Sequence, residues 1–313
     1  MALPLAPPLQ PQLARSRGAL PEGDTWSYEP KYDGFRAIAF VDGADVEIQS
    51  RSGKPLARYF PELEFPPGRY VLDGEIVVAA QDGSEDFDAI SQRIHPAASR
   101  IARLAEETPA AYVAFDLLAE GDEVLLDRPF AERRAALERL VTPPVRLAPS
   151  VRSAEEARPW LREAEGVIAK ELDAPYRPGQ RAGMAKIKRV RTLDAVAVGW
   201  RPGKEEGTLG SLILALYDDA GGLRVVGHCS GFKAKEKAEL PARLAEFETG
   251  ERGSADPSRW KSDKELEWIA LRPELVVEVS YDHSSNGRIR HGTKLLRWRE
   301  DKAPADCRLA DLD

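Results

Sequence analysis

Cysteine is nearly absent from this chain: two thiols, Cys229 and Cys307, in 313 residues. Two cysteines cannot build a disulfide framework, and their scarcity fits a reducing cytoplasm. No apolar run approaches the length of a membrane span, which excludes a membrane helix. No basic start followed by an unbroken apolar stretch marks a secretory signal. The four histidines, His95, His228, His283 and His291, show no metal-ligand spacing. There is no G-x-x-x-x-G-K-[ST] and no G-x-G-x-x-G after a first strand, so neither a P-loop nor a dinucleotide fingerprint cradles phosphates. "SYDHSSNG" holds serine, aspartate and histidine, but triads are assembled in space, and Asn286-Gly287 marks this stretch as a polar turn. A net charge of −7 excludes a protein that coats nucleic acid through bulk charge.

What is present is a chain of 42% hydrophobic and 31% charged residues, the profile of a globular protein long enough for two domains. The proline-rich start, "MALPLAPPLQPQLARSRGALPEG", reads as an irregular arm packed on the body. "AIAFV", "DVEIQS", "YVLDGEIVVA" and "AYVAFDLLA" read as strands, rich in β-branched and aromatic residues and bounded by Gly, Pro or Asp. "FDAISQRI", "AASRIARLAEE" and "RPFAERRAALERLV" read as helices, the last placing Phe130, Leu137, Leu140 and Val141 along one side. "GVIAK" and "MAKIKR" add two short strands. Strands and helices mix without a regular βαβ repeat, so the expected class is α+β, with antiparallel sheets and helices in the first domain. After about residue 191 the texture changes to strands with Gly-rich turns and one helix, the pattern of a small OB-type β-barrel. The expected domains are residues 1–190 and 191–313.

Two basic tracks interrupt the acidic balance. One is "KIKRVR", Lys186 to Arg191. The other carries Arg288, Arg290, Lys294, Arg297, Arg299 and Lys302 against Glu300 and Asp301. In "LDGEIVV", Asp73 and Glu75 are two apart and face the same way on a strand; so do Lys186 and Lys188, about 7 Å apart by strand rise. That spacing suits two cations gripping neighbouring oxygens of a polyphosphate. "EGVIAK" sets Glu165 at the mouth of a strand and Lys170 at its far end. In "YEPKYDGFRAIAF", Lys31 stands beside Asp33, Gly34 and Arg36, at the edge of an apolar run. Taken singly, Asp-Gly is a turn and Lys-x-Lys the wet side of an edge strand.

Taken together and in this order, the elements resemble the covalent nucleotidyltransferase superfamily of DNA ligases, RNA ligases and mRNA capping enzymes. "KYDGFR" matches its nucleophile motif K-x-D-G-x-R. "SRSGKPL", with Arg51, resembles the next element; "LDGEIV", "FDLL", "EGVIAK" and "KIK" resemble the following four; "RWREDK" resembles the R-x-D-K element of the OB domain. The matches span residues 29 to 302. The flanks "YRPGQRAGMAKIKR" and "RHGTKLLRWREDK" look most like bacterial ATP-dependent DNA ligases, of the stand-alone actinobacterial ligase C kind, with the ligase module of ligase D as a close cousin. Related ligases often carry a tryptophan between the conserved arginine and K-x-K; here that stretch is "AGMA".

The resemblance implies an adenylation domain followed by an OB-fold domain, and ATP with Mg²⁺ (or Mn²⁺) as cofactors. It implies that Lys31 forms a phosphoramide with AMP and that the adenylate passes to the 5′-phosphate of a nick, which the 3′-OH then closes. Lys186 and Lys188 are implied at the α-phosphate. Arg36 and Arg51 are implied at the ribose and phosphates, Glu75 at a ribose hydroxyl or a metal, and Phe115 against adenine. Glu165 is implied at the metal, Glu29 at the adenine edge, and Lys170 and Arg181 among the nucleotide-binding residues. Arg299, Asp301 and Lys302 are implied to orient the pyrophosphate when the barrel swings about a hinge near 189–193. Lysine attacks phosphorus only when neutral, and nearby cations and burial lower its pKa. Asp33-Gly34 is expected to form the tight turn that lets the chain approach the nucleotide. The implied partner is nicked duplex DNA, with a repair polymerase or primase as a further candidate, no membrane, and a monomer as the working unit. An RNA ligase, a guanylyltransferase and a non-catalytic OB module stay open as alternatives.

Overall fold

The computed structural model describes residues 3–80, 83–189, 191–254, 267–282, 284–285, 287–290 and 293–312. His283, Asn286 and His291 lie outside them. The chain divides into two compact units, Met1–Arg189 and Val190–Asp313.

The first unit is built on two sheets. The larger runs Asp45–Ser50, Phe35–Gly43, Gly68–Val78, Ala110–Glu120, Glu123–Val124, with Arg146–Leu147 beside Ala110–Glu120. Its long strands pair antiparallel. Successive side chains leave opposite faces of a strand. Ala37, Ala39 and Val41 therefore enter one core with Leu72, Ile76 and Leu117, while Ile38 and Phe40 enter another with Val71, Leu118 and Tyr176. The second face is not left to water: Leu3, Leu5 and Leu9 of the proline-rich arm pack on it. Coverage on both faces explains why "AIAFV" is continuously apolar rather than alternating. Complete burial of Ile38 and Phe40 contributes about 1.5–3 kcal/mol each. Helix Phe130–Leu140 follows Pro129 and sends Leu137 into the first of these cores, with Leu140 and Val141 packed at its edge. Phe130 is buried too.

The smaller sheet has the order Arg15–Ser16, Met184–Lys188, Gly166–Glu171, Trp26–Pro30. The arm supplies its first strand, pairing in parallel with Met184–Lys188. The chain leaves this sheet at Pro30 and enters the larger one at Phe35. Lys31 lies in the crossing between them.

In the second unit, Arg191–Pro202, Leu209–Tyr217, Leu223–Gly231, Thr293–Trp298 and Glu267–Tyr281 pair in that order, and the last pairs back to the first. Five strands thus close into a barrel, and Glu248–Ser254 adds to the outside of Glu267–Tyr281. Leu193, Ala195, Leu212, Leu214, Val277 and Val279 fill its interior. Helix Ala234–Ala245 adds Leu240 and Leu244 to that core. Among the described residues no helix is long and apolar enough to cross a membrane.

Candidate active site

Register places the site. Across the smaller sheet, Glu29, Ile168 and Lys186 stand opposite one another on three neighbouring strands, and Lys170 stands opposite Met184. Residues in register share a face. On the larger sheet, Arg36 stands opposite Glu75. These residues, with Phe115 and Lys31, line one cleft between the two sheets of the first unit. Arg51 and Arg181 stand at its exposed margin. Met184, from the stretch "AGMA", lines it as well.

Lys31 is fixed at both ends. Its backbone N–H donates to the Gly166 carbonyl at 2.9 Å. Its ammonium donates to a Glu165 carboxylate oxygen, and reaches the Tyr32 carbonyl at 3.3 Å. Lys188 approaches the other oxygen of Glu165 at 3.5 Å. Burial holds the Lys31 amine below the ordinary lysine value; Glu75 and Asp33 push it back up, and Lys188 and Lys186 lower it further. Burial pushes the Glu75 carboxyl up to about 8, against the pull of Arg36 and Lys31.

Gly34 meets a steric demand inside the protein. A Cβ at this position would lie 2.1 Å from the Ile76 carbonyl oxygen. Glycine is needed where the crossing meets the neighbouring strand. Arg36 is likewise engaged within the protein. It forms two hydrogen bonds with Asp73, at 3.0 and 2.6 Å, and its guanidinium carbon lies 5.1 Å from the centre of the Phe115 ring. Lys170 is buried. Its ammonium pairs with Glu29 at 2.8 Å, donates to the Phe115 carbonyl at 2.8 Å and lies 4.7 Å from the Phe115 ring centre. Burial raises the Glu29 carboxyl, and Lys170 and Arg134 oppose that rise. The other Glu29 oxygen, Oε1, is buried without a hydrogen bond, with Arg134 at 3.5 Å. It is a buried acceptor with capacity left for an N–H donor.

The sequence matches the model of the ATP-dependent DNA ligase domain over residues 11–188, and that of the ATP-dependent DNA ligase C-terminal region over residues 205–302. The chain belongs to the ATP-dependent DNA ligases. It is 46% identical to DNA ligase C1 of Mycolicibacterium smegmatis and 42% identical to DNA ligase C of Mycobacterium tuberculosis, covering 100% of this chain and 96% of each relative. The ligase domain of M. tuberculosis LigD is similar in structure, with a TM-score of 0.53 and 28% identity over 96% of this chain and 97% of that one.

In the second unit of this ligase, Arg299, Asp301 and Lys302 form one cluster around a residue that the sequence did not single out. Asp194 accepts two hydrogen bonds from Arg299, at 2.9 and 2.8 Å, and one from Lys302 at 3.0 Å. Arg299 also grips Asp301 at 2.9 Å through each of two nitrogens. That contact lowers the Asp301 carboxyl to about 2. An aspartate inside the apolar run "TLDAVAV" is the signal that could have found Asp194. Arg134 was missed because its helix reads as a charged surface, yet it is buried beside Glu29.

Glu75 and Glu165, the two candidate metal ligands, both act on Lys31, one through its field and one by contact. Among the described residues no three acidic, histidine or cysteine side chains converge on a metal position. Glu75 and Glu165 supply oxygen donors of the kind that magnesium takes, alongside water and substrate phosphates.

Proposed function

We propose that this ligase seals 3′-OH/5′-phosphate nicks in duplex DNA, with Lys31 as the carrier of the adenylate. Residues 1–190 form the nucleotidyltransferase domain and residues 191–313 the OB-fold domain. The observation that carries the reading is the state of Lys31: an amine lowered by burial, at a sheet crossing, in a cleft lined by Lys186, Arg36, Arg51 and Phe115.

The neutral Lys31 nitrogen attacks the α-phosphorus of ATP. A P–N bond forms, the bond to the bridging oxygen of pyrophosphate breaks, and the amine loses its remaining extra proton. The 5′-phosphate of the nick then displaces Lys31 from the adenylate, and the 3′-OH displaces AMP as the phosphodiester forms. Displacement at phosphorus requires charge neutralisation more than proton shuttling. Lys186 and Lys188 supply it at the α-phosphate, and Arg36 and Arg51 at the remaining phosphates or the ribose. Arg181 extends this positive margin. Phe115 offers the adenine a face, and Glu29, held by Lys170, offers its edge an acceptor. Glu75 and Glu165 would hold Mg²⁺ or Mn²⁺, which adds positive charge at the phosphates. Arg299, Asp301 and Lys302 meet the pyrophosphate when the second unit moves about residues 189–193. The basic track from Arg288 to Lys302 meets backbone phosphates, so binding to nicked duplex is salt-sensitive and sequence-independent. A repair setting, a single working copy and recruitment by a repair polymerase complete the reading.

Intact-mass measurement after incubation with ATP and Mg²⁺ tests it. The expected result is one added AMP on the unaltered chain, none on Lys31→Ala, and closure of a nicked duplex only by the former. An adduct mapped to another residue, or strand closure by Lys31→Ala, overturns it.

A further inference from the structure

The proline-rich arm does more than cover the larger sheet. Leu13 and Ala14 line the same cleft as Lys31 and Phe115. The arm is latched just before them by Gln12, a polar residue only 2% exposed. The Gln12 side-chain amide donates to the Ala182 carbonyl, and its side-chain oxygen accepts from the Arg177 N–H at 2.8 Å. Its backbone N–H donates to the Tyr176 hydroxyl at 2.9 Å. A hydroxyl has one proton. With a donor already on its oxygen, Tyr176 turns that proton to Asp73 Oδ2, at 2.6 Å. Asp73 is fully buried and holds Arg36 through both oxygens. Arg36 in turn lies against Phe115. Beyond Gln12, Ser16 pairs opposite Lys186, and the Arg17 N–H donates to the Lys186 carbonyl at 3.0 Å.

The arm therefore touches both halves of the cleft: the strand of Lys186 directly, and Arg36 through Tyr176 and Asp73. Packing alone does not call for the hydroxyl, since a phenylalanine would fill the same apolar cluster of Ile38, Phe40 and Val71. What the hydroxyl adds is a fixed orientation for the Asp73 carboxylate, and through it for a guanidinium on a long, freely rotating stem.

We propose that the N-terminal arm is the wall that completes the nucleotide cleft, and that Tyr176 is the positioning residue that carries its placement to Arg36. This rests on reading the cleft as the ATP site. Lys31 is held by Glu165 and Gly166, outside this network. Loss of the Tyr176 hydroxyl accordingly acts on how well Arg36 holds ATP, and leaves the Lys31 contacts and the pairing beside Lys186 in place.

The test measures Lys31 adenylylation against ATP concentration, with Tm, for the unaltered chain and for Tyr176→Phe, Gln12→Ala and Tyr70→Phe. Tyr70 also loses a hydroxyl hydrogen bond, to the Pro66 carbonyl, but lies five residues along the strand from Glu75, about 17 Å away by strand rise. Tyr176→Phe and Gln12→Ala are expected to raise the half-saturating ATP concentration about tenfold, equivalent to about 1.4 kcal/mol. Their maximal rate stays within about twofold, the signature of lost binding rather than lost transition-state stabilisation. Tyr70→Phe lowers Tm and leaves the ATP dependence alone. An unchanged ATP dependence in Tyr176→Phe, or the same rise in Tyr70→Phe, overturns the arm's role while leaving the ATP site intact. Should Tyr176→Phe fail to fold, Gln12→Ala decides by the same criterion. An unaltered chain that takes no adenylate overturns the reading of the cleft as well.

Discussion

Lys170→Met is the most informative single substitution in the first unit. Methionine keeps the length of the side chain and removes its charge. Glu29 then keeps a buried carboxylate whose strongest partner is gone, with only Arg134 at 3.5 Å. The Phe115 carbonyl loses its donor as well. Breaking a buried pair on one side costs about 3–5 kcal/mol, and the remaining arginine sets the expectation at the lower end, about 3 kcal/mol. For a unit spanning Met1–Arg189 that is a fall of about 6–12 °C in Tm. The sign of its pH dependence follows from Glu29. Burial already raises that carboxyl, and Lys170 holds the rise in check. Without Lys170 the folded value climbs further above the unfolded one. A carboxyl shifted upward contributes stability that is present below its unfolded pKa and lost as pH rises through its folded pKa. The deficit of Lys170→Met is therefore smaller at about pH 5 than at about pH 8. Thermal unfolding of Lys170→Met, Glu29→Gln and the double variant closes a cycle, with an expected coupling of at least about 1.5 kcal/mol. A deficit that is constant with pH, or effects that simply add, would refute the reasoning.

Other consequences can be checked separately. Gly34→Ala forces a Cβ against the Ile76 carbonyl and should cost about 1–3 kcal/mol in thermal unfolding, with loss of adenylylation; an unchanged Tm would show that the crossing has room. Lys188→Ala removes one of the cations that lower the Lys31 amine, so the pH profile of adenylylation should move to higher pH; a profile that stays put would leave burial and Lys186 as the causes. Asp194→Asn leaves Arg299 and Lys302 without their shared carboxylate and should lower the Tm of the second unit by a few degrees, equivalent to about 1–2 kcal/mol. Its adenylylation rate should also change, since the two cations are proposed to meet pyrophosphate. An effect on stability alone would make the cluster structural.

Those parts of the molecule written in contiguous residues were legible in the sequence. Lys31 and Arg36 sit in one short motif, and Lys186 and Lys188 alternate along one strand, so strand geometry fixed where each would point. The large-sheet strands were readable from their apolar runs, and the closed barrel from its short strands and glycine-rich turns. What stayed hidden is polar and buried. Tyr176 stands in "PYRPG" and reads as a turn residue, yet it is buried under the arm. Gln12 reads as one more polar residue of an irregular segment. Arg133 belongs to a helix that looks solvated, yet it is buried against Asp116 at 2.8 and 3.0 Å. In each case the partner comes from a distant part of the chain, and no local periodicity records it. The same holds for Asp73, whose spacing from Glu75 was visible but whose partner, Arg36, was not.

The contact between Lys31 and Glu165 bears on how the protein rests between turnovers. A carboxylate in contact with an ammonium favours the protonated form, in opposition to the burial that lowers the amine. Lys188 draws on the same carboxylate, at 3.5 Å from its other oxygen, so Glu165 is shared between two lysines. A ligand that draws Lys188 away leaves that carboxylate more basic, and so better able to receive the Lys31 proton.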